Sequence, residues 1–519
     1  MERLYNDAVV GEDLIRALKA TCDQLTSCNM ALLTILHISD LHRDPSHEVT
    51  NGALLDSLLR DRDRYRHETP PIPDPNIIIV SGDIIRGVNA DGTDPEGELL
   101  RQYVQAEEFL IDLAECFVGG DREKVILVPG NHDVSYFHTL QSMKQVEVKL
   151  DTKEDRAAAV SMGRRLDHVG SVVRWSWSGF CFYEITDQAK YDARLQAFCT
   201  FYQRFYSGRR SFSLKSEGQF DVFDFPEYNV TIAGLSSCHE NDPLNKKGAI
   251  HPDCVAAAMK KLCEPAYRGR LLLATWHHNT SGGPTQADYI DADILQVMID
   301  EGFSIGLHGH QHKPQFIEDR REFGGARKIT VISAGTLCAG RQELPTGQMR
   351  AYNILELNSG ACKATLHVRR MQNENFGRPI WGQGQFPNSG RSYVQFDVEK
   401  PIIRSFAAED ARTVGAAETA LRESRFSEAV ALVKPIAAAN PLARKLLWEC
   451  YVSLEDHQSM IDNFYPPSTA AEAIHICEAL AEVGNFGQLA DALKLPIIRD
   501  SKDSAVVAVR EKHAARMNK

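Results

Sequence analysis

Short apolar runs alternate with longer amphipathic stretches between Ala31 and about Arg370. The runs are rich in β-branched residues, which is typical of strands that are buried in a sheet and covered by helices. This pattern therefore predicts an α/β domain. Its clearest predicted strands are Leu32–Ile38, Asn76–Val80, Lys124–Val128, Asn229–Leu235, Arg270–Thr275, Ser304–His308 and Lys328–Ser333.

The regular alternation is lost between Val134 and Tyr228, and we expect an inserted cap over residues 134–228. One interpretation is a cap whose aromatic side chains stack on a substrate and whose arginines place positive charge beside it. The other is a subdomain whose aromatic residues form a small core of their own. The sequence leaves both open. The segment carries Arg164, Arg165, Arg174, Trp175, Trp177, Phe180, Phe182, Tyr183, Arg204, Arg209 and Arg210.

The last part of the chain has a different pattern. Residues 373–388 are rich in Gly, Asn, Gln and Pro, so we expect a connector over 371–408. From about Glu409 to Lys519 the chain is rich in Ala and Leu at helical spacing, which predicts an all-α domain over 409–519. Similar short motifs begin at Arg425, His457 and Asn485. They favour a helical repeat similar to tetratricopeptide repeats, although a plain helical bundle fits the pattern as well.

Charge and cysteine usage narrow the function classes. The formal net charge of -12 disfavours broad, non-specific binding of nucleic acid, because the average field of the protein repels polyanions. The 12 cysteines include no C-x-x-C pair, which indicates reduced thiols rather than a disulfide framework. Residues 1–30 lack the pattern of a secretory signal, and no apolar span is long enough to cross a bilayer. We therefore expect a cytoplasmic protein without a membrane partner. We expect residues 1–30 to be an N-terminal extension, in which the apolar residues of Glu12–Leu25 have helical spacing.

Five short motifs of carboxylate, amide and imidazole side chains follow strand ends. Such a mixed oxygen and nitrogen set suits divalent ions such as Mn, Fe or Zn. Two ions need a ligand that bridges them, and Asp83 is the natural candidate because Gly82 permits a close backbone approach. The motifs are Asp40-Leu41-His42, Gly82-Asp83, Gly130-Asn131-His132-Asp133, His277-His278 and Gly309-His310-Gln311-His312.

In this order the motifs resemble the calcineurin-like metallophosphoesterase superfamily, in its phosphodiesterase and nuclease-type branch. The resemblance covers about Ala31 to Arg370 and implies a β-sandwich flanked by helices. It also implies two divalent metal ions, of which we favour Mn. The implied ligands are Asp40, His42 and His312 for one metal, Asn131, His277 and His310 for the second, and Asp83 as the bridge.

The resemblance assigns catalytic roles as well. It implies that His132 is the general acid or transition-state partner and that Asp133 orients it. Two adjacent cations lower the pKa of a shared water from about 15.7 to near neutrality, which gives a hydroxide for attack on phosphorus. A carboxylate beside an imidazole would hold the right tautomer.

Four positions allow more than one role. His278 could replace His277 as a ligand or contact the substrate, and the resemblance favours His277. The guanidinium of Arg86 could bind a phosphate, or it could simply reach into solvent. We expect His37 and His308, inside apolar runs, to be core histidines.

The motifs also bear on the substrate. G-N-H-D together with G-H-x-H points away from protein phosphatases of the superfamily and towards phosphodiesterases. We expect a nucleotide or nucleic-acid diester as substrate, since base stacking on aromatic residues contributes about 1 to 3 kcal/mol per base. Alternatives are a nuclease of the repair-exonuclease-like branch, a phosphomonoesterase or a non-catalytic scaffold. The helical module is expected to recruit a protein partner or to self-associate.

Overall fold

The computed structural model describes residues 32–149, 151–166, 170–282, 288–319, 327–386, 389–401, 407–438 and 440–517. The expected N-terminal extension and its helix Glu12–Leu25 lie outside the described residues. The chain divides into two compact units, Met1–Ile403 and Arg404–Lys519. Among the described residues, no helix has the length and apolar character that a membrane crossing requires.

The first unit contains the strands. Their bounds are β1 Leu33–Ile38, β2 Ile77–Ser81, β3 Val125–Val128, β4 Met143–Val146, β5 Val173–Ser176, β6 Cys181–Ile185, β7 Phe220–Phe225, β8 Val230–Leu235, β9 Leu271–Thr275, β10 Phe303–His308, β11 Gln315–Asp319, β12 Ile329–Ser333, β13 Ala351–Asn358, β14 Lys363–Met371, β15 Trp381–Gln383 and β16 Tyr393–Asp397.

Two mixed sheets form a sandwich. One sheet has the order β15-β14-β13-β1-β2-β3, with β16 also paired to β14, and the other has the order β11-β12-β10-β9-β8-β7. In the first, β1, β2 and β3 are parallel; in the second, β8, β9, β10 and β12 are parallel. The carboxyl ends of parallel neighbours meet at one edge of each sheet, which is where ligands collect in such folds.

Helices cover the sandwich where they present an apolar stripe to the sheets, whereas the helix Lys153–Arg165 buries none of its residues. Apolar residues from the strands and helices form a large buried core, to which Ile35, Ile79, Phe109 and Phe198 belong, and a second buried cluster, to which Trp276 belongs. The helices of this unit are α1 Asn51–Tyr65, α2 Pro95–Val118, α3 Tyr136–Gln141, α4 Lys153–Arg165, α5 Gln188–Asp192, α6 Gln196–Phe205, α7 Pro252–Leu262 and α8 Ala292–Asp300.

The predicted α/β fold with a flanked sandwich is confirmed. Each predicted strand is present within a residue or two of its expected bounds. The expected connector over 371–408 needs correction, because β15 and β16 extend the first sheet within it. Trp381 explains the extension, since its ring is buried and its Nε1 donates to Ser57 Oγ at 2.8 Å.

The segment expected to be an inserted cap is distributed over two places. Strands β4, β6 and β5 form a separate small sheet. Helix α6 instead packs into the main core through Phe198 and Tyr202, and β7 joins the edge of the second sheet. Only the first part of residues 134–228 therefore stands outside the sandwich.

The second unit is helical. Its helices are α9 Ala407–Arg422, α10 Phe426–Val433, α11 Pro441–Ser453, α12 His457–Phe464, α13 Ala470–Glu482, α14 Phe486–Ala492, α15 Pro496–Arg499 and α16 Ser504–Met517. Long and short helices alternate as hairpins from α9 to α14. The motifs noted in the sequence start each short helix.

The three hairpin turns have the same backbone geometry. Ser424, Glu455 and Gly484 each adopt the left-handed conformation, with φ of 59°, 51° and 73°. In each turn the amide of the next residue donates to the carbonyl five positions earlier; one example is Asp456 N to Tyr451 O at 3.1 Å. This is the Schellman arrangement that ends a helix.

Candidate metal centre

The side chains singled out in the sequence converge at the carboxyl ends of the parallel strands. Asp40 and His42 follow β1, Asp83 follows β2, and the Asn131–Asp133 turn follows β3. From the second sheet, His277 follows β9, while His310 and His312 follow β10. The two sheets thus supply opposite sides of one site.

Tight loops hold these residues. Asp40, His42, Asp83, His310 and His312 have φ of 53°, 43°, 50°, 74° and 54°, in the left-handed region that side-chain-bearing residues seldom adopt. Backbone bonds fix the loops to one another, with Asp40 N donating to the carbonyl of Gly82 at 3.1 Å and His42 N to that of Asp83 at 3.0 Å. Strained backbone of this kind clusters at functional sites.

The motif glycines allow the loops to approach closely. A Cβ on Gly130 would overlap the Asp83 carboxylate, and one on Gly309 would overlap Ser39 and Asp40. A Cβ on Gly82 would overlap the His277 ring. No larger residue fits at these three positions without displacing a candidate ligand.

Asp40, His42 and His312 form the first donor group. His312 Nε2 lies 3.1 Å from Asp40 Oδ1 and 3.4 Å from His42 Nε2. Asp40 Oδ1 is buried and lies 3.9 Å from His42 Nε2 as well, so one carboxylate oxygen faces two imidazole nitrogens. A buried carboxylate oxygen that faces two imidazoles fits a metal ligand.

Asn131, His277 and His310 form the second group. Asn131 Oδ1 lies 3.0 Å from His277 Nε2 and 3.0 Å from His310 Nδ1. An amide oxygen and two imidazole nitrogens therefore converge, which is a donor set suited to Mn, Fe or Zn.

Asp83 lies between the two groups. Its Oδ2 is 3.2 Å from His277 Nε2, 4.0 Å from His42 Nε2 and 3.9 Å from His132 Nε2. Its Oδ1 accepts a hydrogen bond from His132 N at 2.9 Å. Asp83 is thus within reach of His277 in the second group and His42 in the first, as a bridging ligand must be.

The charges of the site are complementary. Burial opposes ionisation of Asp40 and Asp83, but His312 and His277 outweigh it and hold the pKa of each carboxyl below its usual range. Burial also lowers the pKa of His277 and His312, yet the paired carboxylates outweigh it and raise both to about 9. In the absence of metal these imidazoles are protonated at neutral pH, so metal ions and protons compete for the same nitrogens.

The second ring nitrogens of the candidate ligands are held by acceptors. His277 Nδ1 donates to the Ser81 carbonyl at 2.8 Å, and His312 Nδ1 donates to the Glu343 carbonyl at 2.8 Å. His310 Nε2 lies 3.1 Å from Asp288 Oδ2. Sequence reasoning missed Asp288, although an acidic residue that orients a ligating imidazole is a common arrangement.

The expected pairing of His132 with Asp133 is wrong. His132 Nδ1 lies 2.5 Å from the Arg86 carbonyl, which must accept from it. Asp133 is buried on the other side of the turn, where it accepts from Gly130 N at 2.8 Å, Ile84 N at 3.2 Å and Tyr103 OH at 2.9 Å. The turn at Asn131–Asp133 sends adjacent side chains apart, so Asp133 braces the loop and the Arg86 carbonyl orients His132.

The contacts of His278 and Arg86 are also defined by the structure. His278 is fully buried, and its ring nitrogens contact Ser237 Oγ at 2.8 Å and Asn241 Nδ2 at 3.3 Å. His278 is therefore placed to support the loop at Asn241, and the expectation that it contacts the substrate needs correction. The Arg86 guanidinium is largely exposed and pairs with Asp44 Oδ2 at 3.2 Å.

The core histidines lie where they were expected. His37 and His308 are fully buried. His37 Nε2 contacts Ser81 Oγ at 3.0 Å, and the ring of His308 stacks on Trp276 with a centroid separation of 6.0 Å.

Two cavities open beside His132. The lysine cavity, of about 650 Å³, is lined in part by Trp177, Lys246, Lys247 and His310. The carboxylate cavity, of about 570 Å³, is lined in part by Asp44, Arg86, Asp91 and Glu98. His132 and Tyr136 line both.

Comparison with known proteins finds one matching family and solved structures of low sequence identity. No significant match was found among curated proteins. Phosphopantetheinyl hydrolase from Mycobacterium tuberculosis is 16% identical, and the match covers 62% of this chain and 96% of that one with a TM-score of 0.25. The calcineurin-like phosphoesterase YfkN from Bacillus subtilis is 11% identical over 71% of this chain and 90% of that one, with a TM-score of 0.26. A single mutant of Vps29 from Entamoeba histolytica is 10% identical over 70% and 100%, with a TM-score of 0.25.

A family model described as calcineurin-like phosphoesterase matches residues 33–314. The match begins at β1 and includes the whole span from Asp40 to His312.

Proposed function

The chain belongs to the calcineurin-like phosphoesterase family, and from that premise we propose that it is a two-metal phosphodiesterase acting on a nucleotide or nucleic-acid substrate. The observation that carries the proposal is the position of Asp83 between two donor groups. Asp40, His42 and His312 would hold one ion, and Asn131, His277 and His310 the other. Oxygen and nitrogen donors without a thiolate suit Mn, Fe or Zn, and of these we propose Mn.

The metal ions supply one part of the chemistry. When bound, a pair of divalent ions acidifies a water that attacks phosphorus and stabilises negative charge on the phosphoryl oxygens. The protein's contribution is to hold the donors in place before the substrate arrives. Buried loops, the glycine contacts and the acceptors behind the imidazoles all serve that purpose.

His132 is positioned to give a proton to the leaving oxygen. Its Nδ1 carries a hydrogen because it donates to the Arg86 carbonyl. The other nitrogen, Nε2, lies 3.9 Å from Asp83 Oδ2 on a side chain that is 35% exposed. Nε2 is therefore the ring atom that can carry a transferable proton at the site, where an alkoxide leaving group needs one.

The surroundings favour a diester over a monoester. A phosphomonoester carries up to two negative charges near neutral pH, whereas a diester carries one. Asp44, Asp91 and Glu98 line the cavity on one side of His132. Asp44 and Glu98 are each paired with an arginine, so the carboxylates oppose a doubly charged phosphate only modestly more than a singly charged one.

The test is an assay of the purified protein with added Mn. Its substrates are bis-p-nitrophenyl phosphate, p-nitrophenyl phosphate, 2',3'- and 3',5'-cyclic nucleotides, and single- and double-stranded DNA and RNA. We expect hydrolysis of diesters that is lost in Asp83→Asn and on chelation of metal. Preference for the monoester, or activity that survives Asp83→Asn, would overturn the proposal.

We also propose that the helical unit recruits a protein partner or a second copy of the chain. Leu442 and Phe486 support this, since their side chains are 61% and 44% exposed. Removing residues 409–519 should leave hydrolysis of bis-p-nitrophenyl phosphate intact and abolish association measured by light scattering and by partner capture. If neither association nor partner capture changes, the unit has no such role.

A further inference from the structure

The lysine cavity differs from the carboxylate cavity in charge, although both open beside His132. Lys246 and Lys247 line the first, together with the acidic Asp288, whose carboxylate is engaged by His310. The nearby carboxylates Glu240 and Asp242 have partners of their own, His239 and Arg174 respectively. A substrate with a second negative group is therefore drawn to the lysine side of His132.

An aromatic platform faces the same cavity. Trp177 follows β5 at the tip of the small sheet, and its side chain is 77% exposed although it lines the lysine cavity. Trp175 packs edge-on against it with a centroid separation of 5.9 Å. An exposed indole that is supported from behind and borders a cavity offers a stacking surface for a flat ring.

Buried contacts fix this platform relative to the lysines. Arg174 of β5 pairs with Asp242 Oδ2 at 2.7 Å, and both side chains are almost fully buried. Tyr191 OH donates to the same oxygen at 2.9 Å. Asp242 Oδ1 accepts from the amides of Leu244 and Asn245 at 2.8 and 2.9 Å, just before the two lysines. Trp177 and the lysine loop, residues 241–247, are thus joined through one carboxylate.

The volume limits what can bind. Cavities of about 300–1,000 Å³ hold a small ligand, and the lysine cavity measures about 650 Å³. That space accommodates a nucleoside with one additional phosphate and is too small for a duplex. His310 and Asn131 line its inner end, so such a ligand would reach the candidate metal ligands.

We propose that the lysine cavity binds the nucleoside part of the substrate, with the base stacked on Trp177 and a second, non-scissile phosphate bound by Lys246 and Lys247. This inference rests on the proposed function and makes it more specific. The preferred substrate class is a nucleotide diester that carries a further phosphate on its sugar. Phe180 is also exposed on this hairpin but does not line the cavity, so it takes no part.

Three chromogenic diesters test the proposal in the presence of Mn. They are bis-p-nitrophenyl phosphate, the p-nitrophenyl ester of thymidine 5'-phosphate, and the 5'-p-nitrophenyl ester of thymidine 3',5'-bisphosphate. The second adds a base and the third adds a 3'-phosphate. We expect kcat/KM to be about tenfold higher for the second ester than for the first, because the base stacks on Trp177. We expect a further rise of about tenfold for the third ester, because its 3'-phosphate accepts charged hydrogen bonds from the lysines.

The variants separate the two contributions. Trp177→Ala should remove the gain from the base, measured as the ratio of kcat/KM for the thymidine 5'-phosphate ester to kcat/KM for bis-p-nitrophenyl phosphate, whereas Trp177→Phe should retain most of it. The double variant Lys246→Ala and Lys247→Ala should remove only the gain from the 3'-phosphate. Phe180→Ala and Lys215→Ala, which change similar residues away from the cavity, should behave as the unchanged protein.

Equal rates for the three esters, or equal losses on all three in the variants, would overturn the inference while leaving the proposed function in place. A Phe180→Ala effect as large as that of Trp177→Ala would overturn it too. If bis-p-nitrophenyl phosphate is not hydrolysed at all, the proposed function fails instead. In that case the inference is tested by measuring the Kd of thymidine 3',5'-bisphosphate by calorimetry. The inference requires this Kd to be about tenfold weaker in Trp177→Ala than in the unchanged protein. An unchanged Kd refutes it.

Discussion

Substitution of Gly130 by alanine tests the geometry of the metal centre through a single methyl group. Gly130 has φ of -114° and ψ of -175°, an extended conformation that alanine adopts without cost. The added Cβ, however, would lie 2.9 Å from Asp83 Cγ and would overlap Asp83 Oδ1 and its backbone nitrogen. Since carbon atoms prefer separations of about 3.5–4.0 Å, the carboxylate must move by at least about 0.6 Å.

The carboxylate has little freedom to move. Asp83 is buried, its Oδ1 accepts from His132 N, and its carbonyl accepts from His42 N. Overpacking of this kind typically costs about 1–3 kcal/mol of stability. Because the displaced group is the proposed bridge, we expect the apparent Mn affinity to fall by at least about 10–100-fold, the range seen when only a ligand's supporting partner is lost.

The measurement is the Mn concentration that half-activates hydrolysis of bis-p-nitrophenyl phosphate, beside the Tm without metal. Gly52→Ala is the matched control, since it adds the same methyl group in helix α1 where no atom lies within 4 Å. That control should stabilise the protein by about 0.5–1 kcal/mol and leave the Mn dependence unchanged. If Gly130→Ala shows the same Mn dependence as Gly52→Ala, the Asp83 carboxylate does not bridge two metal ions.

Four further outcomes are expected. At pH 7, metal binding should release protons from His277 and His312, because their pKa values of about 9 lie above the ordinary 6.5. Calorimetry in buffers of different ionisation enthalpy measures this proton release, which should fade as pH rises through 9. Absence of proton release at pH 7 would contradict the assignment of these two residues as metal ligands. In the metal-free protein the same raised pKa values stabilise the fold fully below pH 6.5, and that contribution to Tm should be lost as pH rises through 9. Glu455→Gly should stabilise the helical unit by about 1 kcal/mol and Gly484→Ala should destabilise it by a similar amount, because both positions are left-handed; equal Tm values in the two variants would refute this. Asp242→Ala leaves a buried guanidinium unpaired and should cost about 3–5 kcal/mol in urea unfolding, and a loss below about 1 kcal/mol would show that the small sheet is not held by this contact.

The buried strands and the convergence of the motifs at their ends were predictable from local patterns in the sequence, whereas the sandwich was implied by the resemblance to a known family. Each parallel strand is a buried apolar run, and the polar motif at its end must lie at the edge where neighbouring strands also end. Gly82, Gly130 and Gly309 were visible as motif positions, although the atoms they approach were not. Those atoms belong to residues far along the chain.

The contacts that escaped prediction are long-range or depend on a local turn. Asp288 contacts His310 only in the folded protein, and nothing in its sequence surroundings marks it. The Asn131–Asp133 turn separates the side chains of His132 and Asp133, which sequence adjacency suggested were partners. Strand β15 is three residues long, too short for an alternating pattern, and is fixed by the burial of Trp381.

The order of strands in the first sheet has a consequence for biosynthesis. β1 lies between β2 and β13, and Leu33 pairs with Leu357. A ribosome that adds about 5–20 residues per second leaves one flank of β1 unpaired for tens of seconds. During that interval the nascent chain must be shielded from pairing with other chains, and the proposed metals can be loaded only after His312 has emerged. Insertion of the ions is therefore a late step in the maturation of this protein.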